Sequence, residues 1–244
     1  MRTRTHGLTL VEILVGLALL GIIMAAVLSL QVGTFRSASD IQGGADQLRE
    51  LQISSGYLTD RVRTASAVST SLTVNGTTCT MTPAAGEYPC FAVVVGEIRQ
   101  VGSTPLFAPN TYLYLAYRFV PRSSLTVSAK TPDSWADSNT LALMEYRSVF
   151  CGPTASVTCA TATPPPTGSV AIPTVVPSTL TGMTEAVIAD RVTLADAAGT
   201  FTPFAYNATK GEFTIRFRQA QRVNGKTVYT PPGGPMTVVI QRRN

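Results

Sequence analysis

An α+β fold is predicted, with one long N-terminal helix packed on an antiparallel β-sheet. Three observations predict it. Residues 8–30 form an apolar run that carries a single charge, Glu12. An apolar stripe at helical spacing then continues to Ala65. Beyond it the texture changes to short β-branched and aromatic segments separated by turn residues.

The helix is expected in two halves, a transmembrane half over 8–30 and a soluble half over 31–67. At ~1.5 Å per residue the first half spans ~35 Å, enough for a bilayer core of ~30 Å. In the second half Ile41, Ala45, Leu48, Leu51, Leu58, Val62 and Ala65 recur every three, four or seven residues. This stripe predicts packing of the helix against a sheet. Gly33, Gly43 and Gly44 weaken the pattern and place an expected bend near the membrane exit.

A β-rich globular domain is expected over 68–244. "FAVVV" at 91, "TYLYLAYRFV" at 111, "TLALMEYRSVF" at 140, "EFTIRFRQ" at 212, "KTVYT" at 226 and "MTVVIQ" at 236 read as strands. Alternation puts Phe213, Ile215 and Phe217 on one face and Thr214, Arg216 and Arg218 on the other. The "VNGK" turn at 223–226 signals a hairpin. Residues 151–182 are rich in Pro, Thr and Ser and are expected as a long surface loop. Tyr112, Tyr114 and Tyr117 are expected in core or edge packing.

Composition narrows the chemistry. The 244 residues carry a net charge of +5, which falls to +3 (17 basic, 14 acidic) once Arg2 and Arg4, ahead of the apolar run, are set aside. The single histidine, His6, also precedes that run. Without imidazole beyond it, Ser–His and Cys–His catalysis and the commonest zinc ligand sets are excluded. No enzyme activity, cofactor or metal is expected. Arg216, Arg218, Arg222, Lys226, Arg242 and Arg243 cluster near the C-terminus. They are read as a solvated sheet face, with phosphate contacts to DNA through Arg216, Arg218 and Arg222 as the alternative. Cys79, Cys90, Cys151 and Cys159 follow a membrane-targeting segment and contain no Cys-x-x-Cys pair, so they read as two disulfides in an oxidising compartment. Four cysteines allow three pairings, and the local one, Cys79–Cys90 with Cys151–Cys159, is preferred.

A secretory signal peptide or a plain signal anchor accounts for a basic start and an apolar run, but neither gives Glu12 a role. The stretch "GLTLVE" at residues 7–12 resembles the type IV prepilin signature. That resemblance implies a leader over 1–7, cleavage between Gly7 and Leu8 by a prepilin peptidase, and N-methylation of the Leu8 amine. Two positions depart from the pattern: Leu8 stands where the family usually has Phe, and Ser29 where a proline often follows Gly21. Glu12 is then the fifth mature residue, and an amine exposed at Leu8 lies four residues before it on one helix face. A neighbouring subunit's amine paired with Glu12 neutralises both charges in lipid, which makes Glu12 an assembly residue.

The stretch "YLTDRVRTA" at 57–65 resembles the end of this helix in J-type pseudopilins and W-type minor pilins. The resemblance implies a pilin-like fold and a single pass through the inner membrane, with the N-terminus cytoplasmic before processing and the globular domain outside. It further implies other pilins or pseudopilins as partners, in a type IV pilus or a type II secretion pseudopilus. Asp60 and Arg61 in that stretch read as a solvated helix face or a contact surface. An extracellular module displayed on a pilus and binding DNA or a surface ligand is the alternative.

Overall fold

The structure, a computed structural model, describes residues 10–84, 86–101, 104–148, 174–196, 199–223 and 225–242. The chain divides into two compact units, Met1–Asp46 and Gln47–Asn244. Helix α1 (Leu10–Arg63) supplies the described part of the first unit and opens the second. Within the first unit Leu10–Phe35 is a 26-residue apolar stretch of mean hydropathy 2.8, none of it buried in the chain. Its length is ~39 Å, sufficient to span a bilayer with some tilt. Helical hydrogen bonding runs through Gly33, Gly43 and Gly44 without a break.

The second unit holds the sheet. In chain order its strands are β1 (Ala65–Ser69), β2 (Ser71–Val74), β3 (Thr77–Thr80), β4 (Cys90–Val101), β5 (Thr104–Pro121), β6 (Leu141–Arg147), β7 (Thr179–Leu180), β8 (Thr184–Thr193), β9 (Ala195–Asp196), β10 (Gly199–Thr200), β11 (Phe204–Asn207), β12 (Glu212–Val223), β13 (Lys226–Thr230) and β14 (Met236–Gln241). A short helix, α2 (Ser134–Asn139), lies between β5 and β6 and is capped by the Asp133 carboxylate. The main sheet is antiparallel, in the order β1-β4-β5-β6-β8-β12. Strand β12 is then shared. Its first half lies between β11 and β14, and its second half pairs with β8 and β13. This is the expected α+β, pilin-like plan, and each of the six segments read as strands forms a strand within its described residues.

Both faces of the central sheet are covered, which explains why "FAVVV" shows no alternation. On one face Leu51, Leu58 and Val62 of α1 meet Phe91, Val93, Leu115, Tyr117, Phe213, Ile215 and Phe217. On the other, Ala92, Val94, Tyr112, Tyr114 and Met144 meet Leu72, Val74 and Leu180 of a small sheet formed by β3, β2 and β7. The three tyrosines are therefore buried core residues. A disulfide joins Cys79 on β3 to Cys90 on β4, with Cα atoms 5.8 Å apart. Cys151 and Cys159 lie outside the described residues.

Four expectations need correction. The helix ends at Arg63 rather than 67, because Ala65–Ser69 pairs with β4 as an edge strand. Ile41, Ala45 and Leu48 of the apolar stripe are exposed, and burial starts only at Gln47, where the second unit begins. The described end of the proline-rich region is not a free loop: Val176 and Leu180 are buried, and β7 pairs in parallel with β2. Arg218 does not share the exposed face of Arg216, being 4% exposed.

Candidate functional site

Glu12 sits in the first turn of α1, where the unpaired main-chain N–H groups and the helix dipole favour a carboxylate. Around it Leu10, Val11, Ile13 and Leu14 are more than half exposed, and the same holds for most large apolar side chains up to Phe35. An apolar surface of this length stays out of water only in lipid or against other apolar helices. Gly7 and Leu8, the expected cleavage pair, lie outside the described residues.

In the second unit, a polar stripe that the apolar pattern of α1 does not reveal fixes the helix to the sheet. Gln47, Glu50, Ser54 and Tyr57 recur at spacings of three and four, beside the buried Leu51, Leu58 and Val62. Their partners lie on β6, β8 and β13. The Thr230 hydroxyl donates to the Gln47 side-chain oxygen at 2.7 Å. The main-chain N–H of Asp190 donates to Glu50 at 2.8 Å. The Ser54 hydroxyl donates to the Ile188 carbonyl at 2.8 Å. Strand β8 slips twice against β6, between Leu141 and Leu143 and again between Leu143 and Met144. Each slip leaves residues of β8 outside the ladder, with free backbone groups. Glu50 and Ser54 take up two of those groups, at Asp190 and Ile188.

Tyr57 and Tyr117 both donate to Glu145 Oε2, at 2.6 and 2.9 Å. Glu145, on β6, is 3% exposed, and Arg147 stands 3.2 Å from its other oxygen. Burial, then the neighbouring carboxylate, raises the Tyr117 pKa well above its ordinary value, so its proton stays available for donation. Arg122 is the largest fully buried side chain among the described residues. Asp190 accepts from its Nε at 2.7 Å and its Nη2 at 3.0 Å, while Asp137 and the Thr131 carbonyl hold the rest of the fork. Burial disfavours its charge, but the bonds to Asp190 and Asp137 outweigh that and raise its pKa. These side chains read as structural: each buried charge is met by an opposite charge or a hydrogen-bond partner.

The C-terminal arginines separate into two kinds. Arg216 and Arg222 are exposed on β12. Arg218 lies over the Tyr229 ring at 4.4 Å and donates to the carbonyls of Pro231 and Pro232 at 2.8 and 2.6 Å. Its donors close the end of β13, which leaves two of the three candidate phosphate-binding arginines on the surface. Arg242 donates to the Tyr206 hydroxyl, and Arg243 lies outside the described residues. Asp60 is exposed, and Arg61 leans over Tyr57 at 5.2 Å.

Comparison with known proteins bears on the N-terminal segment. A family model for the prokaryotic N-terminal methylation motif matches residues 2–28. No curated protein and no solved structure matches the chain. The motif covers the basic start, the Gly7–Leu8 pair, Glu12 and most of the exposed apolar helix, and it supports a type IV prepilin-like N-terminus.

Proposed function

We propose that this type IV pilin-like chain is a minor pilin or pseudopilin, a structural subunit that assembles through its N-terminal helix into a type IV pilus or a type II secretion pseudopilus. The observation that carries the reading is the coincidence of three features over residues 2–35. They are the methylation motif, a helix of membrane-spanning length with none of its surface buried, and one carboxylate in its first turn. In this reading prepilin peptidase removes residues 1–7, the Leu8 amine is methylated, and the helix stays in the inner membrane with the sheet domain outside. Glu12 then meets the Leu8 amine of a neighbouring subunit, and the low dielectric strengthens that pair. The proline-rich insertion at 151–182 is awkward to repeat in every layer of a fibre, which favours low copy number.

Mass spectrometry of the protein from its own envelope tests the reading. The expected product begins at Leu8, carries one methyl group on its amine, and contains Cys79–Cys90 and Cys151–Cys159 as linked peptides. A chain beginning at Met1, or near Ala26, contradicts it. The alternative, a displayed module that binds DNA or a surface ligand, rests on the exposed Arg216 and Arg222 alone.

A further inference from the structure

The segment from Arg122 to Thr140, two 3-10 turns and α2, has little apolar anchorage. Its buried apolar side chains are Leu125 and Ala136, and Val127 is 80% exposed. Arg122 orders it instead, since it binds the Asp137 carboxylate and the Thr131 carbonyl of the same segment. The main-chain N–H of Arg122 also donates to Thr140, and its carbonyl accepts from Lys130.

Arg122 in turn is held from one residue of β8. Asp190 takes two of its donors in a bidentate grip. The next residue, Arg191, stands 3.2 Å from Asp133 of the same segment. Arg191 has φ +53°, a left-handed conformation that is strained in a non-glycine residue and persists only when its surroundings impose it. Three bonds do so. Glu50 accepts from the Asp190 N–H, Gln219 Nε2 donates to the Asp190 carbonyl, and the Asp190 carboxylate accepts from the Arg191 N–H. The slip between Leu141 and Leu143 exists in this form because Glu50, a side chain of α1, substitutes for the missing ladder acceptor.

We infer that Glu50 is a positioning residue: by holding the β8 bulge it places Asp190 to bind Arg122, and so the seating of α1 on the sheet sets the order of the surface segment 122–140. The chain of contacts is continuous, from Glu50 to Asp190 to Arg122 to Asp137. Without the Glu50 acceptor, the part-buried Asp190 N–H loses its partner in the chain. The bulge then gains by rejoining the ladder at Ala142, which withdraws the carboxylate from Arg122. Such coupling is reciprocal: loosening the far end must loosen the helix end. In a subunit held by its helix, a shift of α1 on the sheet is thereby felt on the domain surface. That consequence rests on the assembly reading, whereas the coupling does not.

Hydrogen–deuterium exchange of the full chain in detergent micelles tests the coupling without any assembly. Glu50→Ala is expected to speed exchange about tenfold over 122–140 and 188–192, the effect of one part-buried N–H losing its acceptor, with 91–95 and 113–119 unchanged. Emission of Trp135, the single tryptophan and a residue of α2, should shift to the red. Glu50→Gln keeps an acceptor oxygen and should keep most of the protection. Ser54→Ala breaks a neighbouring helix–β8 bond and should leave 122–140 protected. Unchanged exchange over 122–140 in Glu50→Ala, or equal loosening in Ser54→Ala, overturns the inference. If Glu50→Ala also loosens 91–95, Asp137→Asn decides: faster exchange at 47–54 and 188–192 supports the coupling, and unchanged exchange there overturns it.

Discussion

Glu50 of α1 accepts a hydrogen bond from the main-chain nitrogen of Asp190 at 2.8 Å, although 140 residues separate the two. The helix thus completes a strand rather than merely covering a sheet. Four polar side chains of α1, spaced by three and four, reach the sheet over Gln47–Tyr57, and three apolar ones beside them fill the core. The apolar positions resist separation without directional preference. The polar ones fix the axial register, because each bond is lost within an ångström or so of sliding.

The Glu145 cluster should be the most sensitive polar site of the domain. Glu145→Ala leaves two tyrosine hydroxyls without their acceptor, one of them fully buried, and is expected to lower stability by about 3 kcal/mol. Tyr117→Phe removes donor and penalty together at one of the two positions and should cost about 1 kcal/mol. Thermal unfolding followed by near-ultraviolet circular dichroism measures both. Equal losses would contradict the assignment of Glu145 as the shared acceptor.

Arg218 and Arg216 should behave oppositely, although they stand two residues apart on β12. Arg218→Ala strips two charged donors from the Pro231 and Pro232 carbonyls and should cost about 2 kcal/mol. Arg216→Ala, at an exposed position, should stay within about 0.5 kcal/mol of the native chain. Unfolding midpoints of the two variants decide. Similar values would contradict the structural role of Arg218.

Asp137 should titrate below the ordinary carboxylate value of about 3.9. Its hydrogen bond with Lys130 favours the charged form most strongly; burial opposes it, and the hydrogen bond with Arg122 and the two positive charges add to the lowering. A carboxylate with a lowered folded-state pKa adds stability above its unfolded value, and that contribution disappears as pH falls through the lowered value. Carbon-detected NMR of the side-chain carboxyl reads the midpoint, and Lys130→Ala should raise it. A midpoint at the ordinary value, or one indifferent to Lys130, would contradict the assigned contacts.

Strands built from unbroken apolar or alternating runs were legible in the sequence, and β12 and β13 pair as the hairpin signal predicts, with Val223 opposite Lys226. Strand β8 was not legible. "TEAVIADRVT" loses its alternation at the slips around Ile188 and Asp190, and its polar groups answer side chains far away in the chain. The polar stripe of α1 had a signal, the spacing of Gln47, Glu50, Ser54 and Tyr57, but a search for apolar positions passes over it. The burial of Arg218 had none, because alternation gives the direction of a side chain and not what covers it. Glu12 was legible for the opposite reason: a charge inside an apolar helix is conspicuous in sequence alone.

The central claim is assembly through the N-terminal helix, and recovery of Glu12→Ala in sheared fibres or pseudopili tests it most directly. Cleavage, membrane insertion and the sheet domain depend on the leader, the apolar run and the second unit, so the variant should be processed and folded like the native chain. Loss of one partner of a buried ion pair costs about 3 to 5 kcal/mol. Crosslinking to partner pilins should therefore fail in fibre layers below the tip, with Glu12→Gln little better. Only a subunit at the very tip, with none above it, could dispense with the carboxylate. Native recovery of Glu12→Ala in layers below the tip would contradict the account.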